Sequence, residues 1–180
     1  MIKTSISTCI LGFISLCFCA EPLLAQQVKS GADQIARHFP GYHILALRER
    51  ESATRRFLTE HRSMGNGSSL RADFNGDGKA DYAFLLKSKT SADSKFVVFL
   101  CRGDECAPRY ELDVTNYAQS AFLTLMREPQ VVSPSEALPG SGTGKRLDVN
   151  AIEISYFEKG KVVVRWDKSK HKFEEVQTED

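Results

Sequence analysis

Hydrophobic and polar positions divide the chain into a helical start and a β-rich remainder. Over residues 30–39, Ile35, Ala36 and Phe39 fall on one side of a helix that Pro40 and Gly41 stop. Residues 42–47 are apolar and extended. A second helix is expected over residues 52–62, capped by Ser52, with Phe57 and Leu58 turned inward. Residues 63–69, with Gly65, Asn66, Gly67 and three serines, read as loop.

From there the period changes to that of strands. Residues 82–87, 95–101, 109–114 and 121–127 are short apolar or alternating runs separated by turn residues. Residues 129–145 hold three prolines and three glycines without periodicity, the composition of a long surface loop. Ile152, Ile154 and Tyr156 then alternate with Glu153 and Ser155. Lys159 and Gly160 form a hairpin turn into Val162, Val164 and Trp166, and a last strand covers residues 172–177. Two short N-terminal helices followed by a mostly antiparallel β-sheet make an α+β fold. The chain shows no repeat at a fixed period and is too short for a multi-bladed propeller.

The first residues follow a different plan. Met1-Ile2-Lys3 gives a positive start, residues 6–20 are apolar with only Ser, Thr and Gly interspersed among the large side chains and cysteines, and Leu23-Leu24-Ala25 ends on a small residue. This is the layout of a secretory signal peptide over residues 1–25, cleaved after Ala25 or alternatively after Ala20, with one domain over residues 26–180. The apolar run falls short of the roughly 20 residues a spanning helix needs, so no stable membrane span is expected after cleavage. Neither Cys17 nor Cys19 has the small-residue setting of a lipidation site. The expected location is periplasmic or extracellular.

Export gives the cysteines a meaning. Cys9, Cys17 and Cys19 leave with the leader, and the remaining pair, Cys101 and Cys106, is expected to form a disulfide at a hairpin tip. So short a ring contributes about 2 kcal/mol by loop-closure entropy. The alternative, a redox-active pair, wants two intervening residues beside a helix start, and here there are four.

Charge excludes one class of partner. Lys plus Arg number 24 against 23 Asp plus Glu, a net charge of +1, so no global field gathers nucleic acid. Arg48, Arg50, Arg55, Arg56 and Arg62 cluster locally, but Glu49, Glu51 and Glu60 interleave with them as on a solvated helix face.

One segment carries chemistry. In Asp73-Phe74-Asn75-Gly76-Asp77-Gly78-Lys79-Ala80-Asp81, side-chain oxygens stand at positions 1, 3, 5 and 9, Gly78 at the sharp turn of position 6, and the Lys79 carbonyl at position 7. Alternate residues of a coiled loop face one centre, so Asp73, Asn75, Asp77, Asp81 and the Lys79 carbonyl are expected to surround one Ca²⁺, with water completing the shell. The plain alternative is a polar Asn-Gly and Asp-Gly turn between strands. Position 12 is Phe84 and not the bidentate Glu of an EF-hand, and strand-like residues follow. The layout over residues 70–86 resembles the calcium loops of FG-GAP and VCBS repeats. Those families carry several copies in a propeller; this chain has one, so the resemblance implies a calcium loop and not the propeller or its adhesive roles. The ending, Tyr156 to Lys159 through Trp166, Phe173, Gln177 and Thr178, also resembles the tail of uncharacterised exported bacterial proteins and implies no activity.

Other motifs fall short. Residues 140–145 miss the phosphate-loop pattern at Pro139 and Arg146. Arg102-Gly103-Asp104 is an integrin-type tripeptide that also makes an ordinary polar turn. His38, His43, His61 and His171 lack zinc-site spacing, and no nucleophile elbow is present. The expectation is a non-enzymatic binding or envelope-associated module whose partner is an unknown protein or envelope component. The alternative is a periplasmic hydrolase or hydrolase inhibitor whose site the spacing does not assemble.

Overall fold

A computed structural model of the chain describes residues 23–103, 105–126, 130–132, 145–147 and 150–178. The helix α1 (Leu23–His38) leads into β1 (Tyr42–Ile44), a single 3₁₀ turn (Leu47–Glu49) and α2 (Ser52–Glu60). A second 3₁₀ turn (Arg62–Met64) precedes β2 (Ser69–Ala72), β3 (Asp81–Ser88), β4 (Ser94–Arg102), β5 (Glu105–Asp113) and β6 (Ala121–Leu125). A short ribbon of β7 (Gln130–Val132) and β8 (Lys145–Leu147) follows, then β9 (Ile152–Tyr156), β10 (Gly160–Asp167) and β11 (Lys172–Thr178). The fold is α+β, with two N-terminal helices and then antiparallel strands throughout.

The strands form two main sheets and the ribbon. In the first sheet the order is β1-β3-β4-β5, and β2 also pairs with β3. β2 takes residues 81–84 of β3 and β1 takes residues 86–88, so the two short strands lie end to end along one edge. The second sheet runs β11-β10-β9-β6.

The continuous apolar runs of β3 and β4 have a physical cause: both faces are covered. Ala83, Leu85, Phe96 and Val98 pack toward the second sheet, where they meet Leu123, Ile152, Ile154, Val164 and Phe173 in one core. Phe84, Leu86, Val97 and Phe99 point the other way, against Ile35 of α1 and Phe39 just beyond its end. The result is three layers: helix, sheet, sheet. Gly31 sets the spacing of the first two, because a Cβ there would come within 2.7 Å of the Phe84 ring.

Several boundaries differ from the sequence expectation. The first helix starts at Leu23, before the expected start at residue 30, because no breaker separates Leu23 from Ser30 and the helix propagates upstream. The residue preceding α2 as its cap is Glu51, with Ser52 already helical. Ser69, expected as loop, and residues 70–72, with no element expected, form β2, and part of the expected loop over 129–145 is paired as β7 and β8. The expected signal segment lies outside the described residues up to residue 22, as do Asp104 and residues 140–144. Among the described residues no helix is long and apolar enough to cross a membrane.

Candidate metal centre

The acidic loop joins β2 to β3, whose paired ends are Ala72 and Asp81. Its shape comes from side chains bonding to their own backbone. Asp73 Oδ1 accepts from the amides of Gly76 at 2.7 Å and Asp77 at 3.1 Å, and its Oδ2 accepts from Gly78 at 2.8 Å. Asn75 Oδ1 takes the Asp77 amide and Asp77 Oδ1 takes the Lys79 amide, each at 2.9 Å. Asn75 Nδ2 donates to Asp77 Oδ2 at 3.2 Å. Gly76 and Gly78 have φ of 77° and 83°, where a side chain would be strained.

Both ends of the loop are anchored. Phe74 buries its ring in the inter-sheet core, and Asn150 donates from Nδ2 to the Asp73 carbonyl at 3.0 Å. Asp81 is fully buried. Its Oδ2 accepts from the Phe74 amide at 3.0 Å and its Oδ1 from the Cys101 amide at 2.9 Å. Burial pushes its carboxyl above the usual carboxylate range, and the charges of Asp77 and Asp73 push the same way, against the two amide bonds.

Among the described residues no three His, Cys, Asp or Glu side chains are gathered to hold an ion. Asp81 faces two amides at the base of the loop, and Asp73 is turned onto three. The donor chemistry nevertheless fits a hard cation: the side chains at positions 1, 3, 5 and 9 and the carbonyl at position 7 offer oxygen throughout, and every carboxylate oxygen except Asp73 Oδ1, which accepts two amides, accepts one hydrogen bond and keeps a second lone pair. The position-12 residue, Phe84, is buried against α1 and offers no ligand.

Cys101 and Cys106 are disulfide-bonded and directly opposed in the β4–β5 register, at the tip expected from their spacing. The four histidines are dispersed. His38 bonds the Cys106 carbonyl at 3.1 Å, His43 reaches Glu49 at 3.0 Å, His61 stacks on Phe57, and His171 stands edge-on to Trp166.

No family model matches the chain, and no curated protein or solved structure does either. The geometry stands on its own.

One surface feature had no local signal in the sequence. An open cleft of about 1080 Å³ runs beside the loop, with Asn75, Gly76 and Asp77 on one wall and the disulfide on another. Cations from α1, β5, the β4–β5 tip and the β10–β11 turn line it, residues too scattered along the chain to form a motif. The arginine cluster that is visible in the sequence is elsewhere and is not uniformly solvated. Arg50 is 3% exposed, donating from Nη2 to the Gly67 carbonyl at 3.1 Å and to Ser68 Oγ at 2.6 Å.

Proposed function

We propose that the chain is an exported, non-enzymatic binding module, periplasmic or extracellular, with one structural calcium loop of the FG-GAP type. Asp73, Asn75 and Asp77 and the Lys79 carbonyl would hold the ion, with Asp81 closing the base. The observation that carries the reading is the coiling of residues 73–79 by Asp73, whose carboxylate gathers three consecutive amides. That coil brings the oxygens of positions 1, 3 and 5 to one side of a loop whose carboxylates otherwise repel. A bound cation would offset that repulsion. The disulfide and the leader-like residues 1–25 support an exported setting. Without a bidentate Glu, affinity is expected on the order of 10⁻⁵ to 10⁻³ M, the range of extracellular modules. Isothermal calorimetry with calcium on wild type and Asp77→Ala tests the site. Saturable heat in the wild type alone supports it, and no heat in either removes it. Intact mass of protein from the native host tests export: a chain beginning near Gln26 supports it, and one retaining residues 1–20 contradicts it.

A further inference from the structure

We infer that the cleft beside the acidic loop is a groove for an acidic polysaccharide, a chain bearing carboxylate or sulfate groups along its sugar rings. This names a ligand class for the binding module proposed above. It rests on that reading for the role of the chain, and on the lining of the cleft, not on a bound ion, for the ligand.

The first ground is charge. Arg37, Arg102, Arg109, Lys168 and Lys172 line the cleft against two carboxylates, Asp77 and Glu105. The whole chain carries a net charge of only +1, so the excess is local. Among the described residues none of the five is held in an ion pair; the ion pairs there lie on other cations. All five are exposed. Long cationic side chains grouped on one concave surface repel each other, and an anion relieves that repulsion.

The second ground is distribution. The cations come from the end of α1, the β4–β5 hairpin and the β10–β11 turn, which belong to different layers of the fold. Arg109 is placed by an irregularity: Val98 pairs with Tyr110 and Phe99 with Pro108, so Arg109 is the extra residue of a bulge. Charges set on separate walls suit an anion extended along the groove better than one compact phosphate. The volume, about 1080 Å³, is also slightly above the usual range for small-molecule clefts.

The third ground is the apolar part of the lining. Trp166 is the one large aromatic platform there, half-buried and braced edge-on by Phe173 at 5.0 Å between ring centroids. One indole suits the apolar face of a sugar ring. Single-stranded nucleic acid is gripped by successive aromatic platforms, which this cleft does not offer.

Trp166 is also the only tryptophan in the chain, so its fluorescence reports on the cleft. The test is a low-salt titration with a sulfated hexasaccharide, in chelator so that the outcome does not depend on calcium binding by the loop. Saturable change in Trp166 emission is expected, weakening steeply with added salt. Arg102→Ala/Arg109→Ala/Lys168→Ala should lower affinity at least about tenfold. Arg48→Ala/Arg55→Ala/Arg56→Ala removes as many charges elsewhere and should stay within about twofold. Lys168→Glu, a single change in an exposed turn, gives the same direction should the triple variant fold poorly. Absence of saturation, equal weakening by both triple variants, or equal affinity for a single-stranded oligonucleotide of matched charge would overturn the inference.

Discussion

The carboxylate of Asp81 accepts a 2.9 Å hydrogen bond from the backbone amide of Cys101, joining the base of the acidic loop to the strand that carries the disulfide. The two residues lie on adjacent antiparallel strands, β3 and β4, near the same end of the first sheet. Because the other Asp81 oxygen holds the Phe74 amide, one buried carboxylate fixes the loop entrance and the hairpin stem together. The candidate ion site and the disulfide are mechanically one region.

Asp81→Asn should therefore destabilise the calcium-free protein. An amide offers one acceptor oxygen, so one of the two buried N–H groups would face an NH₂ instead. The cost is about 1–3 kcal/mol for an unsatisfied buried donor. Relief of repulsion from Asp73 and Asp77, both at the solvent edge, offsets only a part of it. Urea unfolding in chelator reads the difference; a variant as stable as wild type would show that those amides do not depend on Asp81.

The raised Asp81 carboxyl sets a pH dependence. Its folded value lies above the ordinary 3.8 through burial first and then the Asp77 and Asp73 charges. The folded state thus holds this proton more tightly than the unfolded chain does. Its contribution to stability is fully present below about pH 3.8 and is lost as pH rises through the folded value. In chelator, Asp77→Asn should then stabilise the protein at neutral pH, where the repulsion is present, and give no such gain once Asp81 is protonated. Unfolding midpoints across this pH range check it. A gain of equal size at both ends would place the effect elsewhere.

Arg50 presents the opposite case, a buried cation without a buried anion. Its Nε and Nη1 have no hydrogen-bond partner, and burial pulls the guanidinium down to about 10. The groups that Nη2 does reach are satisfied without it: the Gly67 carbonyl also accepts the Leu123 amide, and Ser68 Oγ donates to the Leu45 carbonyl. Arg50→Met fills most of the volume and removes the charge. It should leave stability within about 1 kcal/mol of wild type or raise it. A loss above about 2 kcal/mol in chemical denaturation would contradict this.

Much of the fold was legible because β3 and β4 are apolar on both faces and the later strands alternate cleanly. Ser69–Ala72 has no strand signature of its own, since four residues with Ser and Arg on one face resemble the loop before them. Their pairing is supplied by β3, not by their own pattern. The acidic loop was legible for the opposite reason, its oxygens being spaced within nine residues. The dependence of Asp81 on Cys101 was not, because the contact joins positions 20 apart through strand pairing. The cationic cleft was least legible of all, since Arg37 and Lys172 come to line one cleft only through the packing of separate layers. Arg50 looked like its arginine neighbours, and only the position of Gly67 and Ser68 shows that it is inside.

We propose that the loop of Asp73, Asn75, Asp77, Lys79 and Asp81 is a calcium site that stabilises the fold. It is tested most directly by thermal unfolding in millimolar calcium against chelator, on wild type and Asp77→Ala. Binding to the folded state alone should add about 2.7 kcal/mol at a hundredfold excess over Kd. The wild-type midpoint should rise with calcium, and that of Asp77→Ala should not. An unchanged wild-type midpoint, with no heat of binding by calorimetry, would mean that the segment is a turn held by its own backbone bonds and not a metal site.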